Sequence, residues 1–452
     1  MVIYFIFTCF LFNKKSENRC LKNIIFYEFN HFIRSKAKLY SFVFFFLACT
    51  YSIISGFNLY NKQIKTIDEV KFVEQETIDK VTNWFKGETY GPEDRSWVDV
   101  RNPYWAIRYT PTHAYKTPSP LLPLGVGQSE QYGFYHKLSI WSSTMDSDVI
   151  EEISNFERLV NGNVDFSFLI LYLLPLLLII LLYNIFGLEK DLKINNLILN
   201  QIGGYNKWII NRLIFYIFLV SSFVNILLLL VGVINQSIDS DLLKLVVLVN
   251  IYIFILFVTF YYIIKLSNSS FSIAFKMITV WLIFYVIVPG AAHQYSNLRY
   301  PTNYMTDFLD ANREETYAIF KKSKEELYDD LINIYPDLKS SAHAKDSVIS
   351  REIVRNGMSA IANHLNINAI EKIEIHNQKK NSLVEICYWF NPLSFFQNKW
   401  NSYTSTDYMS YKQYRDDIQQ LIDNRLELLV LGTWNKEVLE TESYNKYLEK
   451  LK

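Results

Sequence analysis

Apolar residues along this chain gather into long unbroken runs rather than alternating with polar ones. Phe166–Gly187, Leu213–Ile234, Leu245–Ile264 and Met277–Ala292 follow one another with short polar turns between them, and Leu39–Leu59 stands apart nearer the N-terminus. Each reaches or approaches the roughly 20 residues an α-helix needs to cross about 30 Å of hydrocarbon. Several such runs in series argue against helices buried in a large soluble core. The pattern predicts a polytopic membrane protein with about five transmembrane helices.

Between and after the runs lie two long polar segments, Tyr60–Asp165 and His293–Lys452. The first opens with helical spacing around Ile67–Trp84, then becomes rich in Pro and Gly. Alternation at Trp97-Val98-Asp99-Val100 and at Trp105-Ala106-Ile107-Arg108-Tyr109 predicts short strands. The second segment reads as helices over Leu309–Ile334, which ends at Tyr335-Pro336, and over Asp346–Leu365, with two more flanking Asn391-Pro392. The expected fold is therefore a membrane all-α bundle plus an α-rich (α+β) extracytoplasmic domain built from two chain segments. Its parts are 1–38, a cytoplasmic N-terminus; 39–59, the first span; 60–165, the first outer segment; 166–292, spans two to five with a cytoplasmic loop at 188–207; and 293–452, the second outer segment.

Charge sets the orientation. Lys14, Lys15, Arg19, Lys22, Arg34, Lys36 and Lys38 precede the first run against only Glu17 and Glu28, which places the N-terminus in the cytoplasm by the positive-inside rule. The loop holding Lys190, Lys193, Lys207 and Arg212 and the turn holding Lys265 and Lys276 are basic as well, whereas the turn with Asp239, Asp241 and Lys244 is not. Both long polar segments then fall on the outer side. Leu21–Lys38 spaces Ile24, Ile25, Phe29, Phe32 and Ile33 on a helical stripe between basic residues, the pattern of a helix lying in the membrane interface.

Mean hydropathy is only +0.06, so the polar segments offset the spans. The 45 basic and 45 acidic residues balance, and no basic cluster interleaved with aromatics marks a nucleic-acid surface. Cys9, Cys20, Cys49 and Cys387 lie in different segments, which leaves the outer part without an internal disulfide. Met1–Phe12 is apolar but lacks a preceding positive charge and a small-residue cleavage site, and reads as an interfacial segment or, in preference, as the product of a start codon assigned too early.

Candidate chemistry is sparse. There is no GxxxxGK[ST] phosphate loop, and His31, His113, His136, His293, His343, His364 and His376 show no HExxH or other close spacing for a metal. Ser139 and Ser143 lie near His136 without a GxSxG elbow. No catalytic residue, metal site or cofactor is expected. Within the spans the polar candidates are Asn184, Asn225 and Asn250, each able to hydrogen-bond across helices, while Pro175 is expected to kink the second span. A path with so few charges suits a lipid-like or otherwise apolar cargo and does not suit an ion channel.

Pro120-Leu121-Leu122-Pro123-Leu124-Gly125-Val126-Gly127-Gln128-Ser129-Glu130-Gln131-Tyr132, then Asn161–Phe168 and Tyr172-Leu173-Leu174-Pro175-Leu176-Leu177, resemble the junction between outer domain and membrane in type-2 ABC transporter permeases with large extracytoplasmic insertions. Tyr183-Asn184 through Glu189-Lys190-Asp191 to Leu197-Ile198-Leu199-Asn200-Gln201 is similar to the cytoplasmic loop that follows in that family. Trp281 to Pro289, Tyr335-Pro336-Asp337-Leu338 and Asn391-Pro392-Leu393-Ser394 resemble its last third. The likeness departs at Lys193-Ile194-Asn195, where the family has Gly-Thr-Leu, and at the C-terminus, where it implies a sixth span and Leu426–Gly432 is too short to supply one. A truncated reading frame accounts for that difference most simply, and an authentic five-span variant is the alternative.

The resemblance implies a permease subunit of a bacterial cytoplasmic-membrane ABC exporter. Its partners would be a separate ATP-binding cassette ATPase subunit, a second permease subunit (identical or different) and membrane lipid. It also implies that Glu189, Lys190, Asp191, Leu197 and Gln201 form the coupling element on the ATPase, with the charged triplet pairing with charges on that partner. The competing reading is a non-transporting scaffold whose outer domain senses or anchors.

Overall fold

The computed structural model describes residues 15–87, 89–129, 132–146, 164–194, 204–301, 316–346 and 349–451, with side chains from Ile24 onward. Five of its helices are long and apolar enough to cross a membrane: α2 (Lys36–Trp84), α4 (Phe166–Asp191), α5 (Tyr205–Ile234), α6 (Ser240–Lys265) and α7 (Ser270–Arg299). The chain is a helical membrane protein. A shorter helix, α1 (Lys15–Arg34), precedes them and is separated from α2 by an extended residue, Ser35. It lies against α5 and leaves Phe26, Tyr27, Phe29 and Ile33 exposed while burying Ile24 and Phe32.

The apolar run at 39–59 and the polar helix around Ile67–Trp84 prove to be one helix of 49 residues. At 1.5 Å per residue α2 is about 70 Å long, more than twice the hydrocarbon thickness. Its first half exposes Phe44, Leu47, Tyr51 and Ile54, whereas its second half buries Ile67 and Val81, the latter in a different core.

That second core is polar-segment territory. Val81, Phe85, Val100, Ala106, Ile107 and Leu138 from the first segment pack with Leu331, Val354, Tyr411, Ile418, Trp434 and Tyr444 from the second. The helices here are α3 (Pro103–Tyr109), α8 (Lys324–Ile334), α9 (Arg351–Asn356), α10 (Met358–Ile386), α12 (Tyr408–Trp434) and α13 (Thr441–Lys450), whereas α11 (Pro392–Tyr403) packs in the bundle core. Leu426–Gly432 belongs to α12 and is largely buried in this core. Arg425 on the same helix is buried as a cation, donating to Thr112 Oγ1 at 2.6 Å and to the Ile107 and Thr110 carbonyls at 2.5 and 2.8 Å, and its burial lowers its pKa to about 10.

The strand reading of the first segment needs correction. Trp97–Val100 is turn, and Trp105–Tyr109 lies in α3, because Asn102 Oδ1 accepts from Tyr104 N at 2.9 Å and Pro103 occupies the first helical turn. Asn followed by Pro is a helix start, and it overrides a short alternation. The strands lie just outside that stretch. β1 (Thr112–Tyr115) pairs antiparallel with β2 (Tyr135–Leu138), Thr112 opposite Leu138. Glu74 on α2 holds this ribbon, accepting from His113 N at 3.1 Å and from the Tyr115 hydroxyl at 2.6 Å.

Bundle and polar domain meet at the Pro120–Gln128 turn. Leu121 and Leu124 are buried in the bundle core with Trp400 of α11, whose indole N–H donates to the Leu124 carbonyl at 2.9 Å. Asp165 caps α4 through Phe168 N at 2.7 Å and also accepts from Val126 N at 2.9 Å. Gly56 on α2 is required for this approach, since a Cβ there would stand 2.6 Å from Pro123 Cα. The α5–α6 turn is at this end too, with the Asn235 side chain donating to the Pro120 carbonyl. The opposite, basal end carries α1, the end of α4, the start of α5 and the α6–α7 turn.

Candidate functional site

At the basal end α4 unwinds over Tyr183–Phe186 and restarts as one short helical turn, Gly187–Asp191. Phe186 takes a left-handed backbone, φ 61°, which redirects the chain. The charged triplet sits on this turn, and each of its members has a partner within the chain.

Glu189 is buried and accepts from Arg212 Nη1 at 2.5 Å, while Arg212 Nε donates to the buried Glu28 of α1. Arg212 is the largest departure from the sequence reading. It was expected in a loop, but α5 begins at Tyr205 and carries it two turns into the helix, 1 % exposed. Trp208 and Tyr27 lie over its guanidinium at 5.3 and 5.9 Å. One turn further along α5, the Tyr216 hydroxyl accepts from the buried Lys38 ammonium at 2.8 Å. Arg212 therefore joins α1, α4 and α5 through a buried charge cluster. Such a cluster contributes little net stability but strongly disfavours any arrangement that leaves one charge unpaired.

Lys190 donates to the Ser267 carbonyl in the α6–α7 turn, and Asp191 accepts from Ser270 N at 3.3 Å, at the start of α7. Gly187 permits this contact, since a Cβ would stand 2.7 Å from Ser270 Cα. Leu188, Leu192 and Ile194 remain exposed on the same element. Leu197 and Gln201 lie outside the described residues. Among the described residues no group of three or more His, Cys, Asp or Glu is placed to hold a metal. The His136 ring is buried in the polar domain, its Nε2 without a hydrogen bond and its pKa lowered by burial to about 4. Ser139 bonds Ser142, and Ser143 bonds Asp146.

Inside the bundle, Asn225 and Asn250 form a reciprocal amide pair between α5 and α6, Nδ2 to Oδ1 at 3.1 and 2.8 Å. Each such bond in a membrane bundle is worth about 1 kcal/mol. Asn184 lies at the unwound basal turn with its Oδ1 buried and unpaired.

Pro175 has a more specific surrounding. It lacks the N–H that would bond the Leu171 carbonyl, and the helix ahead of it widens to a π turn over Leu169–Leu173. Two side chains from other spans take up the released acceptors: the Tyr252 hydroxyl of α6 donates to the Leu171 carbonyl at 2.5 Å, and Trp281 Nε1 of α7 donates to the Tyr172 carbonyl at 3.1 Å. α7 repeats the arrangement, with a π turn over Ile283–Ile287 ahead of Pro289. The two widened turns meet at Tyr252, whose hydroxyl is 2.9 Å from that of Tyr285, and Tyr172 reaches Gln397 of α11 at 3.0 Å. Replacing Tyr252 by Phe keeps the ring and strands the Leu171 carbonyl in hydrocarbon. The expected loss is about 1–3 kcal/mol, read as a lowered melting temperature in detergent, and an unchanged melting temperature would show that the carbonyl finds another donor.

The aromatic cluster and Arg212 escaped sequence reading for different reasons. Tyr and Trp within apolar runs look like ordinary span residues, and only the spacing of Pro175 and Pro289 hints at freed carbonyls. Arg212 had a clearer signal in Glu28, the one acid in the middle of an otherwise basic amphipathic stretch. Comparison with family models, curated proteins and solved structures finds no match to this chain.

Proposed function

We propose that this chain is the permease subunit of a type-2 ABC exporter, moving its cargo with ATP hydrolysed by a separate ATP-binding cassette subunit. In this reading the basal end faces the cytoplasm of a bacterial cell, the polar domain stands outside, and two permease subunits share the path. The observation that carries the proposal is the short turn Gly187–Asp191. It is anchored on three sides by Glu189–Arg212, Lys190–Ser267 and Asp191–Ser270, and it presents Leu188, Leu192 and Ile194 outward. An element held this firmly to spans three, four and five passes a push at its exposed face into all of them as a two-state shift. Lys193 adds support, because it takes a left-handed backbone, φ 58°, at the position where the resembling family has Gly.

The internal pairing moves the ATPase contact from the charged triplet to the apolar side chains beside it. Extraction in mild detergent should recover the chain with a P-loop ATPase. Leu192→Glu should cut that recovery at least tenfold while leaving the melting temperature of the permease unchanged. Recovery of the chain alone, with epitope tags placing 60–165 or 293–452 in the cytosol, would overturn the proposal. Recovery alone with those segments outside would favour a scaffold with a sensing or anchoring domain.

A further inference from the structure

Beyond α7 the chain leaves an apolar tip that none of the described helices covers. α10 ends at Ile386, and in the turn that follows Ile386, Trp389 and Phe390 are 75 %, 92 % and 76 % exposed. Three adjacent large apolar groups this exposed at the end of a helix mark a contact surface rather than scattered surface residues.

The level of the tip relative to the spans identifies what it meets. Tyr300, at the C-terminal end of α7, faces His376 of α10, ring centroids 6.5 Å apart. From there α10 descends to Ile386 while α7 descends to Gly290, each about 15 Å over ten residues. Ile386 therefore returns to the height of Gly290, inside the apolar run Met277–Ala292. The following helix agrees with this height. α11 buries Leu393 and Phe396 in the bundle core, and Tyr388 packs on Phe395 at 5.6 Å. α7 likewise leaves Phe284, Val286 and Ile287 exposed.

Between α10 and the end of α7 lies a groove of about 390 Å³ whose α10 wall is Ile375, Gln378, Lys379, Ser382, Leu383 and Ile386, with Tyr300 facing them. Leu383 and Ile386 line its lower part, and Lys379 lies seven residues, about 10 Å of helix rise, above Ile386. We propose that the tip Ile386–Phe390 sits in the bilayer interface and that this groove holds an anionic membrane lipid, acyl chain towards Ile386 and headgroup at Lys379. Trp is the side chain best suited to that boundary, and one cation flanked by Gln378 and Ser382, above the apolar Leu383 and Ile386, suits an amphiphile with a negative head. The inference rests on the five helices spanning a membrane and is independent of any ATPase partner.

The test uses the full chain in lipid nanodiscs. Its nine tryptophans are quenched by phosphatidylcholine brominated on the acyl chain, and the quenched signal is compared with that of Trp389→Phe and of Trp97→Phe, the latter exposed in the polar domain. Trp389→Phe should lower the lipid-quenched signal and Trp97→Phe should not. Native mass spectrometry should show phosphatidylglycerol retained over phosphatidylcholine, and Lys379→Gln should reduce that preference at least threefold. Equal behaviour of the two Trp variants would overturn the membrane placement of the tip, and an unchanged lipid preference in Lys379→Gln would overturn the headgroup assignment.

Discussion

Arg212→Ala will destabilise the protein by about 3–5 kcal/mol, a large fraction of the roughly 5–15 kcal/mol that holds a folded domain. The guanidinium is 1 % exposed and its two carboxylate partners are buried with it. Removing it leaves Glu28 and Glu189 close together without a cation, so the cost comes from the stranded charges more than from lost contacts. The first structural consequence should be release of α1, which the cluster ties to α4 and α5. Denaturant unfolding in detergent micelles measures the loss, and protease cleavage within 24–34 reports the release. The triple replacement Glu28→Gln, Arg212→Met, Glu189→Gln should recover most of the stability, because buried ion pairs are often replaceable by neutral groups of similar volume. An Arg212→Ala protein as stable as the original, with α1 still protected, would remove the cluster from this role.

Trp400→Ala should cost a similar 3–5 kcal/mol, with a different outcome. Trp400 is fully buried where α11, the Leu122–Leu124 turn and the start of α4 converge, its ring 6.1 Å from Phe166 and its N–H on the Leu124 carbonyl. Truncation opens a cavity at the joint between bundle and polar domain and also strands that carbonyl. Unfolding that is cooperative in the original should separate into two transitions, with the polar domain melting first. Trp400→Phe, which keeps most of the volume and loses the hydrogen bond, should cost about 1–2 kcal/mol and retain one transition. A single undisplaced transition in Trp400→Ala would mean that the joint is held by its remaining contacts.

The spans were legible because hydrophobic run length is a direct consequence of bilayer thickness, and all five runs start and end within the helices observed. The exception in character is α2, where the polarity change near Tyr60 looks like the end of an element. Backbone hydrogen bonding continues across it, since solvent and lipid both tolerate helix and only the side chains must change. Trp105–Tyr109 was misread because five alternating residues carry less information than the Asn102-Pro103 start immediately before them. The buried position of Arg212, hinted at only by Glu28, was hard to read for a physical reason. A charge count treats every Lys and Arg as facing water, and only the fold brings Glu28 and Glu189, 184 and 23 residues away, to the same guanidinium. The triplet Glu189-Lys190-Asp191 was found as a unit, but the partners of Lys190 and Asp191 lie in the α6–α7 turn, which no local pattern indicates.

The unbroken course of α2 makes it a lever arm. With about 70 Å between its ends, a tilt of 5° at Lys36 would sweep Trp84 through about 6 Å. No flexible joint lies along it to absorb the motion, and Glu74 grips the β ribbon most of the way up. Whatever rocks the basal end therefore moves the floor of the polar domain in the same stroke.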